Sequence, residues 1–268
     1  MTQPDLRAPD DVWLDGPMGT MLEAARIPAP LPAWSAFALR ARPEAIAAVH
    51  AAWASAGATV HTAATFRTTP TAVGGLATRW TEAAVALARR AVPRHHRVLG
   101  ALAPLEDCWS TAPTRADAAR HHRAQAERLA TAGVDGLLVE TFLHIEEAIL
   151  ATEAAAATGR PVWTSLTPGF AAAQPSLPAL DGLDRLRQAG ADVLLMNCGP
   201  LRHADAWADA LSRTGGPWGL YVNLYEVAPD AFAAASRRWR TAGAGVVGAC
   251  CGATPSHLLA ARSAAESP

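Results

Sequence analysis

Eight short apolar runs alternate with eight helical stretches along the 268-residue chain, and few architectures accept that pattern. The runs are Val12–Leu14, Ala58–Phe66, Arg97–Ala103, Val134–Val139, Pro161–Leu166, Asp192–Asn197, Trp218–Asn223 and one at Val246-Val247-Gly248. Helical spacing is predicted over residues 43–57, 78–92, 114–133, 145–158, 180–189, 204–212, 231–242 and 256–264. Near-continuous apolar runs between helices are what parallel strands covered on both faces require. No linker rich in Pro, Gly or Ser divides the chain, so one core is expected. The fold class is α/β: a single (β/α)8 TIM barrel over residues 11–268 behind a loose tail at 1–10, with chemistry at the C-terminal ends of the strands.

Two of the runs end alike. The sixth leads into Asn197-Cys198-Gly199-Pro200 and the eighth into Cys250-Cys251-Gly252. A closed barrel brings both ends to one face, whereas an open doubly wound sheet separates them. Adjacent cysteines in extended backbone point opposite ways, so sharing an ion needs a bend, which Gly248 and Gly252 permit. Spacing alone leaves two readings open. The three cysteines act as small apolar side chains, or they hold Zn²⁺ as thiolates and leave its fourth tetrahedral position free for a substrate. Cys108, in the loop Pro104–Trp109, is expected to be a bystander.

Other strand ends carry polar groups. The loop Asp15-Gly16-Pro17-Met18-Gly19-Thr20 reads as a capped turn or as a set of amides facing a carboxylate. Glu140 closes the fourth run, and a carboxylate there needs a partner, expected to be a cation. The pairs His95-His96 and His121-His122 read as solvated side chains. A net charge of −1 offers no basic surface for nucleic acid or an anionic membrane. There is no apolar span near membrane length and no signal-peptide pattern, and four cysteines, three at strand ends, suit a reducing compartment. The expected location is the cytoplasm and the expected partners are small molecules.

The segment Gly248-Ala249-Cys250-Cys251-Gly252-Ala253-Thr254-Pro255-Ser256-His257, with Asn197-Cys198 and the loop at Asp15–Thr20, resembles the homocysteine S-methyltransferase family. The resemblance runs from about Val12 to about Leu259. It implies Zn²⁺ on Cys198, Cys250 and Cys251, with no catalytic residue beyond the metal-activated substrate thiol. It implies that Asp15, Met18, Gly19 and Thr20 meet the amino-acid end of homocysteine, that Glu140 holds its ammonium, and that Asn197, Asn223 and Glu226 add contacts. Two departures stand out. The family's Thr-Asn-Thr-Phe is Ala63-Ala64-Thr65-Phe66 here, and Leu224-Tyr225 interrupts its Asn-Ser-Gly-Glu loop.

The reaction implied is direct displacement, with the homocysteine sulfur attacking an activated methyl group to give methionine. A site of three cysteinates carries excess negative charge and keeps a bound sulfur electron-rich. The favoured donor is S-methylmethionine or S-adenosylmethionine, ahead of betaine, because folate or cobalamin would need further domains. Trp34, Trp109, Tyr225, Glu106 and Glu226 are candidates to surround the onium group. Three alternatives stay open: a homocysteine-binding zinc subunit serving a separate corrinoid or folate protein, a methyltransferase for another small thiol or selenol, and a structural zinc site closed by His257 or Cys108.

Overall fold

A computed structural model describes residues 3–110, 114–168 and 180–266. Among these, eight parallel strands form one sheet: β1 (Val12–Trp13), β2 (Val60–Ala63), β3 (Arg97–Leu102), β4 (Gly136–Phe142), β5 (Val162–Leu166), β6 (Val193–Pro200), β7 (Trp218–Asn223) and β8 (Val246–Ala249). Their order is β1-β8-β7-β6-β5-β4-β3-β2. A single parallel bridge between Leu14 and Val60 joins the two ends, flanked by Asp15 N–H to Val60 O at 3.0 Å and Thr59 N–H to Trp13 O at 2.8 Å. The result is the expected (β/α)8 barrel. Its outer helices are Pro43–Ser55, Ala77–Ala91, Ala118–Thr131, Ile145–Ala156, Leu180–Gln188, Ala204–Ser212, Pro229–Thr241 and Pro255–Glu266. No helix is long and apolar enough to cross a membrane among the described residues.

The strand boundaries differ from the sequence reading where side chains or bulges intervene. β2 is shorter than predicted because Thr65 turns out of the ladder: its Oγ1 accepts from Ala101 N at 2.8 Å and donates to Ala101 O at 3.2 Å. β4 and β6 are longer, and each carries a register shift, between Val139 and Phe142 and between Asn197 and Pro200. The loop predicted at Thr167-Pro168-Gly169 is described only through Pro168, and Gly169 lies outside the described residues.

Side chains of a strand alternate between its faces, so one inward residue fixes the next. The barrel interior holds Val12, Leu14, Val60, Leu99, Leu138, Trp163, Val193, Leu195 and Val246, with Tyr221 above them at the level of Asn197. Two residues on from Leu138, Trp163 and Leu195 come Glu140, Ser165 and Asn197, and four on from Val246 comes Cys250. Apolar layers fill the barrel floor and the polar positions sit above them.

Within the stretch expected to be a loose tail, the described residues Leu6 and Arg7 are tied down. Leu6 is only 4 % exposed and packs into the barrel interior, where its carbonyl accepts the Trp163 indole N–H at 2.7 Å. Arg7 binds Asp192 through Nη1 at 2.9 Å and the Gly159 carbonyl through Nη2 at 3.0 Å. A barrel of eight strands leaves an apolar opening at its base, and a single leucine is enough to cover it. Leu6→Ala is expected to lower stability by about 2–3 kcal/mol, read as a lower urea midpoint with an unchanged m value; an unshifted midpoint would mean that the side chain is not sealing the floor.

Candidate active site

A cavity of about 410 Å³ opens at the C-terminal ends of the strands, within the range of small-molecule sites. Its floor holds the three cysteines. Cys198 Sγ lies 3.7 Å from Cys251 Sγ, and Cys251 Sγ lies 4.0 Å from Cys250 Sγ. All three sulfurs fall within 4.8 Å of one another. Tetrahedral zinc with Zn–S bonds near 2.3 Å separates its sulfurs by about 3.8 Å, so the thiols already have the spacing of a metal-binding trio. Hydrogen bonds from Cys198 and Cys250 hold the Cys251 thiol down at about 4 despite its burial. Sharing hydrogen bonds in this way favours a thiolate at Cys251, and the donor set fits a thiolate-seeking metal.

The bend expected at Gly248 and Gly252 is found at Gly252 alone, which takes a left-handed φ of 78°. Gly248 stays within β8, and Cys250-Cys251-Gly252 forms a turn just beyond it. The larger distortion is across the barrel, where Cys198 takes a left-handed φ of 53° at the β6 irregularity. Asn223 supports that conformation by donating from Nδ2 to Cys198 O at 2.9 Å.

Glu140 meets no cation among the described residues; its partner is the Tyr221 hydroxyl, which donates to Oε2 at 3.2 Å. Burial pushes its carboxyl up to about 7, opposed by that hydrogen bond and reinforced by the nearby Cys251. Asp15, on the same cavity, is also raised, chiefly by burial, with Oδ2 accepting from Thr62 N–H at 3.0 Å.

Of the eight predicted substrate contacts, Asp15, Met18, Gly19, Thr20 and Glu140 line the cavity, while Asn197, Asn223 and Glu226 do not. Asn197 is fully buried, and its side chain is consumed within the barrel: Oδ1 accepts from Thr141 N–H at 3.1 Å and Ser165 Oγ at 2.8 Å, and Nδ2 donates to Thr141 Oγ1 at 2.7 Å. Glu226 is solvent-exposed. Among the donor-side candidates, Trp34, Trp109 and Tyr225 line the cavity; Glu106 does not. The glycines of the first loop serve packing more than amide exposure. A Cβ on Gly16 would lie 2.2 Å from the Trp53 ring, and one on Gly19 would lie 2.1 Å from the Trp34 ring.

Sequence reasoning missed Arg67, which lines the cavity with its guanidinium over Phe66 at 5.0 Å; its position just past a strand end was the available signal. It also missed Tyr221, inward on β7. Ala63 and Ala64 give the cavity an apolar wall where the resembling pattern has an asparagine. Cys108 lines the same cavity outside the sulfur trio, and burial raises its thiol to about 11. His257 is engaged with Thr254 and the Val227 carbonyl, so it does not close the site. The histidine pairs are corrected in part: His122 is 1 % exposed and bound to Glu147 at 3.0 Å, and His96 is buried against His61 at 3.0 Å.

Comparison with known proteins agrees with this geometry. A family model described as homocysteine S-methyltransferase matches residues 12–265. The metallated form of the homocysteine methyltransferase MmuM from Escherichia coli superposes with a TM-score of 0.81 at 25 % identity, covering 95 % of this chain and 96 % of that one. Its oxidized form gives 0.81 at 26 % identity with the same coverage. Betaine–homocysteine S-methyltransferase 1 from Mus musculus is 37 % identical over 76 residues, which is 28 % of this chain and only 19 % of that relative's length.

Proposed function

The chain belongs to the homocysteine S-methyltransferase family, and from that premise we propose that it is a zinc-dependent enzyme transferring a methyl group from an onium donor to the sulfur of homocysteine, giving methionine. The observation that carries the reading is the pairing, in one cavity, of three cysteine sulfurs at zinc spacing with a buried carboxylate that has no cationic partner among the described residues. A free thiol near pKa 8.5 is mostly protonated at neutral pH. Zn²⁺ held by Cys198, Cys250 and Cys251 would supply the missing ionisation, keeping the substrate sulfur as a thiolate.

The remaining roles fall to the chain's own groups. Glu140 receives the ammonium of homocysteine, with Tyr221 fixing the carboxylate from behind. Asp15 and the loop through Met18, Gly19 and Thr20 enclose the amino-acid end; Thr20 also ties this loop to the cysteine turn by accepting from Gly252 N–H at 3.3 Å. Trp34, Trp109 and Tyr225 present aromatic faces, which attract a sulfonium or quaternary ammonium. Arg67, which also reaches Asp107 and the Glu106 carbonyl, lines the cavity as a partner for the donor's carboxylate, a group that S-methylmethionine, S-adenosylmethionine and betaine all carry. The two sulfonium donors rank ahead of betaine because a sulfide leaves more readily than an amine. The apolar wall at Ala63-Ala64 excludes water from the reacting sulfur.

The test is direct. Purified protein alone, given homocysteine and each of S-methylmethionine, S-adenosylmethionine and betaine, is expected to form methionine fastest from a sulfonium, as read by mass spectrometry. Methylation that starts only when a corrinoid or folate protein is added would replace this reading with that of an accessory subunit.

Glu140 adds a pH signature. Its carboxyl, raised to about 7, binds ammonium only when ionised, so homocysteine affinity should fall about tenfold per pH unit below 7. The fold responds in the opposite sense. The native state holds this proton more tightly than the unfolded chain, so the ligand-free protein gains stability as pH drops from about 7 towards the ordinary carboxylate range. In Glu140→Gln this part of the pH dependence of KM should vanish; an unchanged profile would remove Glu140 from the ammonium site.

A further inference from the structure

Beside the cavity, between the barrel wall and the helix Pro43–Ser55, lies a second group of potential ligands, of which the proposed methyl transfer uses only Asp15. Asp15, His50 and His61 are all buried, with one ligand atom of each within 4.8 Å of the others. Alternation along the strands explains the arrangement. Leu14 and Val60 point into the barrel, so Asp15 and His61 point outward, towards the helix that carries His50.

Three features set this group apart from ordinary core histidines. His50 is 0 % exposed, and neither of its ring nitrogens has a hydrogen-bond partner among the described residues. His61 Nδ1 is likewise buried without one. Burying such atoms unpaired is costly, and two of them, His50 Nδ1 and His61 Nδ1, approach the same carboxylate oxygen. Asp15 Oδ2 lies 3.9 Å from His50 Nδ1 and 3.8 Å from His61 Nδ1, too far for hydrogen bonds and close enough to share an ion.

The third feature is the support behind His61. Its Nε2 lies 3.0 Å from His96 Nδ1, and the two rings are within 11° of coplanar, the edge-to-edge geometry of an N–H to lone-pair contact. With Nε2 as the donor, Nδ1 presents its lone pair towards Asp15. A metal-ligating histidine is commonly held in this way by an acceptor on its far nitrogen.

We propose that Asp15 Oδ2, His50 Nδ1 and His61 Nδ1 form a second, buried site for a divalent transition-metal ion, separate from the three cysteines. Two imidazoles and one carboxylate select a borderline ion such as Zn²⁺ over Mg²⁺ or Ca²⁺, which take oxygen ligands. Bonds of 2.0–2.2 Å place ligand atoms about 3.2–3.6 Å apart, so the two Asp15 contacts close by a few tenths of an ångström, and the two histidines draw in from within 4.8 Å of each other. Because Asp15 also borders the cavity, the ion enters from there. A carboxylate has two oxygens, so Asp15 can hold the ion through Oδ2 and still face the cavity through Oδ1.

The experiment counts zinc in the full-length protein, loaded with Zn²⁺ and desalted, by elemental mass spectrometry. Two equivalents per chain are expected. The double variant Cys198→Ser/Cys250→Ser should keep one, His61→Gln should keep one, and the combination should keep none. In the cysteine double variant, X-ray absorption should show nitrogen and oxygen neighbours at about 2.0–2.1 Å and no sulfur. A single equivalent in the unaltered protein that the cysteine variant abolishes would overturn the proposal. So would a second equivalent that survives His61→Gln, or one that carries sulfur. Circular dichroism melts accompany each variant; should His61→Gln fail to fold, the absorption spectrum of the cysteine variant decides.

Discussion

Cys250→Ser should strip the thiolate-held ion from the protein and slow homocysteine methylation by on the order of 10³-fold, with the barrel intact. A thiol near pKa 8.5 is ionised to only about 3 % at pH 7, so losing that ionisation alone slows attack about 30-fold. Losing the fixed position of the sulfur accounts for the rest. The fold should tolerate the change because the backbone of Cys250 is held independently, by its N–H to Val222 O at 2.7 Å, and serine is nearly isosteric. Metal content and methionine formation, measured on the same preparation, should fall together. A variant that keeps both would show that the nucleophile is activated elsewhere.

The second large effect is at Asn197. It is fully buried and makes three hydrogen bonds, two to Thr141 and one to Ser165. Asn197→Ala leaves those partners unsatisfied, at about 1–3 kcal/mol for a buried group, and a total loss of about 3 kcal/mol is expected. Thr141 raises the stakes. It sits at φ 64°, a left-handed conformation that a β-branched residue rarely adopts, and Asn197 grips it at both its N–H and its hydroxyl. Releasing Thr141 lets the β4 irregularity relax and shifts the adjacent Glu140. KM for homocysteine should therefore rise about tenfold while kcat changes less, alongside the lower urea midpoint. Weaker binding at unchanged stability would instead identify Asn197 as a direct substrate contact.

These two residues mark how far the sequence could be read. The strand order, the eight helices and the convergence of Cys198 with Cys250 and Cys251 all followed from apolar runs and the placement of cysteines at their ends. Which residues face the cavity followed only in part, since Asp15, Met18, Gly19, Thr20 and Glu140 line it and Asn197, Asn223 and Glu226 do not. The irregularity in β6 accompanies the left-handed turn of Cys198 towards the cavity, with Asn223 supporting Cys198 and Asn197 supporting Thr141 behind the lining. Nothing in Asn197-Cys198 announces a left-handed cysteine. His96 and His122 were read as solvated for a related reason: periodicity identifies an apolar face, and a histidine on that face looks the same in sequence as one beside it. Leu6 was harder still, since one leucine among polar residues has no pattern at all.

The thin join between the first and second strands has a consequence of its own. Where other neighbouring staves share a ladder of two or more registered pairs, β1 and β2 meet through one bridge, and Asp15 fastens the gap on three sides: its N–H to Val60 O, its carboxylate to Thr62 N–H and its carbonyl to Ala249 N–H at 3.4 Å. The hoop is thus thinnest beside the cavity, and the residue that clasps it is part of the cavity's lining. A ligand seated against Asp15 would bear on the clasp itself, so filling the cavity would be expected to tighten the cask.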